Sequence, residues 1–348
     1  MMQGRGRAIP PVGIVFDCDM GNDIDDALAL AMLHGFAGKN EAEARLISVS
    51  VTKSNLQAAA FCDALALFYA EASFSALESD GDDDNGPPAF FRRRRRGLPI
   101  GFSDKGWMPE DAPMLSAPLA RKTAEGEALY PHDVESINDT ALPGPLMRNA
   151  FTAQNDQNCI VVLTGPATNL GKVLDLSDAK PIIEAKVKML VLMGGSYPDG
   201  EPEFNIKSDI AAARRLFAEW PTPIVAAGYE IGKELLYPAE SIEADFGWAP
   251  NHPIVDAYRA HKTMPYDAPA WDLAAVLYAV RPEAGYFKLS DPGTISVLDD
   301  GRTKFTPSPE GRHRHLILDP AQKEAIIKTC REWVSARPDP PRRRRRGG

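Results

Sequence analysis

Only four cysteines, Cys18, Cys62, Cys159 and Cys330, occur in the 348-residue chain, and no two form a Cys-x-x-Cys pair. That spacing argues against a zinc site or a disulfide framework and makes a reducing compartment the default. No apolar run is long enough to cross a bilayer, so no membrane partner is expected. The basic opening, Met1 to Pro11, lacks the apolar stretch of a secretory leader. Positive charge is not in excess: the formal net charge is -9, which argues against general nucleic-acid binding. No internal repeat of solenoid length is found. A soluble, cytoplasmic protein is the expectation. What the chain does have is core-forming material, with 44% hydrophobic residues.

That material is organised. Val12–Phe16, Leu46–Val51, Ile160–Leu163, Val187–Met193 and Ile224–Ala227 read as buried parallel strands. Ala27–Leu33, Leu56–Tyr69, Ala211–Trp220 and Trp271–Val280 carry apolar residues at helical spacing. Alternating strands and helices predict an α/β domain: a mostly parallel central sheet flanked by helices, over residues 1–335. Ligands of such sheets bind beyond the carboxyl ends of the strands. Asp17–Asp26, Thr164–Asn169 and Gly194–Asn205 then fall along one rim. Residues 78–96, with Asp-Gly-Asp-Asp-Asp, Pro-Pro and Arg92–Arg96, read as a low-complexity insertion. Residues 336–348, with Arg342–Arg346, read as a disordered Arg-rich tail.

The densest chemistry is Asp17-Cys18-Asp19-Met20-Gly21-Asn22-Asp23-Ile24-Asp25-Asp26. Alternation along an extended strand points Asp17 and Asp19 the same way. Gly21 permits a sharp turn. Asp25 and Asp26 begin a helix, where its dipole favours carboxylates. Capping explains one or two of these five, not all. Like charges this close need a cation or raised pKa values, and hard oxygen donors favour Ca²⁺ or Mg²⁺. The spacing is not that of an EF-hand, which places a Glu at the twelfth position. A strand followed by Asp-x-Asp also opens the haloacid dehalogenase phosphatases, with Asp17 as nucleophile and Asp19 as acid. Those normally continue with Gly and then Thr or Val, where this chain has Met20-Gly21-Asn22.

Asp-x-Asp-x-Gly, an Asp-Asp pair and Ala-x-Ala resemble the signature of the inosine-uridine preferring nucleoside hydrolases. This chain has two extra residues before the pair. The resemblance continues in order from Val12 to Phe287. Thr164-Gly165-Pro166-Ala167-Thr168-Asn169 resembles the family's T-G-P-x-T-N segment. Met193-Gly194-Gly195 and Glu203-Phe204-Asn205, followed by Asp209, resemble its M-G-G and E-x-N elements. Pro269-Ala270-Trp271-Asp272 resembles its His-Asp-Pro segment, with Trp271 in place of a His that assists the leaving base in some members.

The resemblance implies a single nucleoside hydrolase-like domain with an open Rossmann-like core, working as a calcium-dependent ribonucleoside N-glycosidase. It implies Ca²⁺ held by Asp19, Asp26, Asp272 and the Thr164 carbonyl, with Asp19 also the general base. Asp25, Asn55, Met193, Glu203 and Asn205 are the implied substrate-binding residues. His132 and Trp271 join Asp19 as catalytic candidates, with Tyr229 a further group for the base. A small-molecule nucleoside is the implied substrate, and a homodimer or homotetramer the implied assembly. Two other readings stand beside it: the phosphatase, and a non-catalytic relative that binds nucleoside or ribose without turnover.

Overall fold

A computed structural model describes residues 10–78 and 97–341. Among the described residues twelve strands are interspersed with helices. They run β1 (Val12–Cys18), β2 (Ala44–Val51), β3 (Ile100–Gly101), β4 (Cys159–Leu163), β5 (Val187–Met193) and β6 (Ile224–Ala227), then β7 (Leu236–Tyr237), β8 (Ala268–Pro269), β9 (Phe287–Leu289), β10 (Gly293–Val297), β11 (Thr303–Pro307) and β12 (His313–Leu318). Ten of these make one sheet in the order β11-β10-β12-β6-β5-β4-β1-β2-β3, with β9 paired to β12. Pairing is parallel from β3 across to β12. This is the single α/β domain the alternation predicts.

The apolar runs are continuous because both faces of the parallel strands are covered. Side chains alternate between two cores. Ile14, Phe16, Ile160, Val162, Val191 and Met193 pack with the helices Asp25–Ala37, Leu56–Glu78 and Trp271–Val280. Val15, Val161, Leu163, Leu190 and Leu192 pack on the other face with Pro143–Thr152, Thr168–Leu174 and Ile210–Glu219. The helix Asp25–Ala37 is buried on nearly every side, so its sequence lacks the polar stripe of a surface helix.

The predicted elements are present, with some ends moved. β1 runs two residues further than expected, through Cys18, and the helix of Leu56 extends to Glu78. The antiparallel wing β9–β12 was not anticipated. Its strands are half-buried, as in the alternating buried and exposed residues of Gly293–Val297, and short alternations lack the continuous apolar run of a buried strand. Apart from Glu78, the insertion at 78–96 lies outside the described residues, as do Arg342–Arg346. The described start of the tail is anchored: Asp339 Oδ2 accepts from the Asn40 N–H at 2.9 Å, and the Asp339 N–H donates to the Gly38 carbonyl at 2.7 Å. Among the described residues no helix is long and apolar enough to cross a membrane.

Chain order places the site. From β1 the chain steps outward to β2 and β3, then returns to lay β4 on the opposite side of β1. The crevice between β1 and β4, at their carboxyl ends, is the topological switch point where α/β sheets bind ligands.

Candidate active site

A cavity of about 550 Å³ opens at that switch point. Its floor is the loop after β1. Gly21 turns the loop with φ +99°, a conformation that favours glycine, and a Cβ there would also crowd the Leu115 side chain. The turn delivers Asp25 and Asp26 to the first turn of the helix Asp25–Ala37. Thr164 Oγ1 donates to Asp26 Oδ1 at 2.9 Å, and the Asp272 N–H donates to Asp25 Oδ2 at 3.1 Å. Three distant segments are thereby tied together around carboxylates. Gly165 lets the loop after β4 lie on Asp19, whose N a Cβ at 165 would meet at 2.9 Å.

Asp19, Asp25, Asp26 and Asp272 all line the cavity, and each is at most 4% exposed. Burial pushes the Asp19 carboxyl up to about 7, with the Glu203 charge adding and a hydrogen bond with Asp26 opposing. Burial also holds Asp26 well above the usual range, and the charges of Asp19, Asp272 and Asp25 raise it further. Asp25 and Asp272 are raised by burial first and by neighbouring carboxylates second. Asp19 Oδ2 is buried without a hydrogen-bond partner. Among the described residues no three Asp, Glu, His or Cys side chains converge as a closed ligand set; the carboxylates ring the floor instead.

Asp17 does not share the cavity. β1 ends at Cys18, so strand alternation does not carry on to Asp19. Asp17 is fully buried, and its Oδ1 accepts from Asn169 Nδ2 at 2.9 Å. Burial pushes its carboxyl up to about 8 against that hydrogen bond. A carboxylate so enclosed cannot meet a phosphate ester, and the phosphatase reading falls with it.

The opposite wall comes from the end of β5 and the short helix Phe204–Ser208. Glu203 caps that helix: Oε1 accepts from the Asn205 N–H at 2.9 Å, and Oε2 from the Ile206 and Gly195 N–H groups at 3.1 and 3.0 Å. Burial raises its pKa, opposed by those backbone donors. Asn205 Nδ2 donates to the Thr164 and Met193 carbonyls, each at 3.2 Å. Asp209 caps the next helix through Ala212, as the sequence suggests. At the lip, Trp271 and Tyr229 stack with ring centroids 5.4 Å apart and planes 21° from parallel. Trp271 Nε1 donates to the Tyr229 carbonyl at 2.9 Å, which commits its one N–H.

Asp19, Asp25, Asp26, Thr164, Met193, Glu203, Asn205, Trp271 and Asp272 therefore meet in one cavity. Two expected residues do not. Asn55 Nδ2 is spent on the Pro109 and Glu110 carbonyls and the Asp111 carboxylate, so it anchors the 103–111 loop instead of a sugar. His132 turns Nδ1 to the Val134 carbonyl at 3.0 Å, in a turn whose Asp133 N–H is held by Asp63. Both are corrections to the sequence reading. Conversely, Lys53, 4% exposed just past β2, brings its charge near Asp19, Glu110 and Asp111, although burial lowers its pKa. Its position at a strand's carboxyl end was the available signal. Asp23, Ser196, Glu201 and Lys207 also line the cavity and were not singled out.

A parallel sheet with a ring of buried carboxylates at its switch point, a polar wall of Glu203 and Asn205 and an aromatic lip defines the class. The model of the inosine-uridine preferring nucleoside hydrolase family matches residues 14–327, and the chain belongs to that family. It is 26% identical over 221 residues to the inosine-uridine preferring nucleoside hydrolase of Crithidia fasciculata, covering 62% of this chain and 60% of that protein. It is 27% identical over 179 residues to the pyrimidine-specific ribonucleoside hydrolase RihA of Enterobacter sp. (strain 638), covering 44% and 55%. The matched stretches thus span less than two thirds of these curated relatives. The fold matches the inosine-uridine preferring nucleoside hydrolase structure from Bacillus anthracis with a TM-score of 0.60 at 16% identity, over 92% of this chain and 99% of that one.

Proposed function

We propose that the chain hydrolyses the N-glycosidic bond of ribonucleosides, giving ribose and free base, with a calcium ion in the carboxylate ring. The observation that carries this reading is the floor itself: four buried carboxylates whose burial and mutual repulsion oppose ionisation. An orphaned Asp19 Oδ2 and an all-oxygen donor set fit a hard divalent cation. Asp19, Asp26, Asp272 and the Thr164 carbonyl would hold it. When bound, calcium supplies a fixed site for water and sugar hydroxyls and a modest gain in the water's acidity.

The chain's own groups do the rest. Asp19 takes the proton from the attacking water. Asp25, Glu203 and Asn205 hold the ribose hydroxyls; Asn205 keeps its carbonyl oxygen for this, since its amide nitrogen is bound to protein. Positive charge grows on the sugar ring as the bond breaks, and the carboxylate floor stabilises it. Trp271 and Tyr229 offer the base a stacking surface.

The test is incubation with inosine, uridine, adenosine and p-nitrophenyl phosphate, with calcium or with chelator. Free base released only with calcium supports the proposal. Ribose or nucleoside binding without turnover, unaltered in Asp19→Asn, would reject catalysis.

A further inference from the structure

Building on the ribonucleoside reading, we propose that His261, acting through Asp23, supplies the proton that leaves with the base. The geometry of the lip motivates it. Trp271, at the lip, has its one N–H bound to the Tyr229 carbonyl. His132 is in its own turn. His252, His313 and His315 are buried elsewhere, and His34 stacks on Tyr69.

His261 alone among the six histidines meets a residue of the cavity wall through an ion-pair contact. It closes the helix Pro253–His261 and sets Nε2 3.2 Å from Asp23 Oδ1, with the two side chains 16% and 31% exposed. Asp23 lines the cavity and belongs to the residues that lengthen the loop before the Asp-Asp pair. Its Oδ1 also accepts the Ile24 N–H at 2.7 Å, so both protein contacts fall on one oxygen. His261 Nε2 is buried and makes no well-formed hydrogen bond, so the ion-pair contact with Asp23 is what joins it to the cavity wall. A chain that spends a buried imidazole nitrogen on a pocket carboxylate has built a connected pair there. Burial opposes the Asp23 charge, but His261, the Ile24 N–H and Lys262 outweigh it and hold Asp23 below the usual carboxylate range.

The step balances. As the C1′–N bond breaks, its electron pair passes to the base nitrogen, which takes a proton handed on by the Asp23 carboxylate. Asp23 draws that proton from the His261 imidazolium, so the carboxylate is charged before and after the step and neutral imidazole is left. Water adds its oxygen to C1′ and gives a proton to Asp19. Solvent then removes the Asp19 proton and recharges His261. Asp23 is the group that touches the base; His261 is a positioning residue and proton reserve behind it.

The test compares inosine with p-nitrophenyl β-D-ribofuranoside, whose nitrophenolate departs without being protonated. Full-length wild type, His261→Gln and Asp23→Asn are assayed with calcium. In both variants the rate on inosine relative to the nitrophenyl riboside should fall about 10²-fold, the low end for losing acid assistance. Turnover of the nitrophenyl riboside also reports that each variant is folded. An unchanged ratio, whether both rates fall together or neither moves, overturns the inference; the pair then only shapes the loop, or Tyr229 or Lys207 donates. If wild type cleaves neither riboside, the ribonucleoside reading itself fails and this inference with it.

Discussion

His252 should make the fold sensitive to acid. Its Nδ1 accepts the Ile254 N–H at 3.2 Å, capping the helix Pro253–His261, so Nδ1 must be unprotonated. The ring is 2% exposed, Nε2 has no partner, and Phe68, Tyr69, Phe246 and Trp248 surround it. Burial pushes its pKa from 6.5 down to about 3. The native ring therefore stays neutral where the unfolded chain's imidazole binds a proton. Stability from this group is complete above pH 6.5 and drains away as pH falls toward 3, at about 1.4 kcal/mol per unit. By pH 4.5 the loss amounts to about 2.7 kcal/mol. Titrating carboxylates common to two proteins cancel in a comparison, so His252→Asn, which can still cap, isolates the effect. Urea unfolding of both proteins at fixed calcium from pH 7.5 to 4.5 measures the gap between them. Wild type should lead at neutral pH, by virtue of its better-filled cage, and the lead should shrink by about 2.7 kcal/mol at pH 4.5. A gap that stays constant or widens would mean the four rings stabilise an imidazolium, and the burial argument would be refuted.

Asp19→Asn should lose at least about 10²-fold in nucleoside hydrolysis, the low end for a general base; near-normal turnover would remove Asp19 from that role. Asn169→Ala strips Asp17 of its donor in a fully buried site, together with the contact to the Val51 carbonyl. The expected cost is about 1–3 kcal/mol in denaturant unfolding, and a smaller loss would show that the Asn169 hydrogen bonds do not stabilise the buried Asp17 site. Chelator should lower the melting temperature of wild type, and excess calcium should restore it in a concentration-dependent way, because a ligand held only by the native state stabilises it. Asp26→Asn should flatten that response, as read by differential scanning fluorimetry.

Legibility in the sequence followed burial. β1, β2, β4, β5 and β6 are covered on both faces, so their apolar runs stand out, and Val187–Met193 and Ile224–Ala227 have the ends expected of them. The wing β9–β12 hides because its alternating pattern over a few residues resembles loop sequence. The carboxylate ring could be read because its members sit at motif positions in the turns and helix starts that follow strands. Asn55 and His132 misled because a loop residue's direction depends on its partners: Asp111 for the one, the Val134 carbonyl for the other. The pairing of Asp23 with His261 was out of reach of any local pattern, since it joins residues on opposite sides of the sheet's sequence order.

The central position of β1 has a kinetic consequence. Gly13 pairs with Arg45 on one side and Cys159 on the other, so one edge of β1 is satisfied early and the other waits for nearly half the chain. Contacts of such sequence separation slow folding, because a long loop must close before they form. Until β4 arrives, the loop carrying Asp19 has no Thr164 beside it, and the exposed edge of β1 is open to pairing with other chains. Recovery of the carboxylate floor after denaturation therefore reports the last long-range step of sheet assembly, and refolding at high protein concentration should fail at that step first.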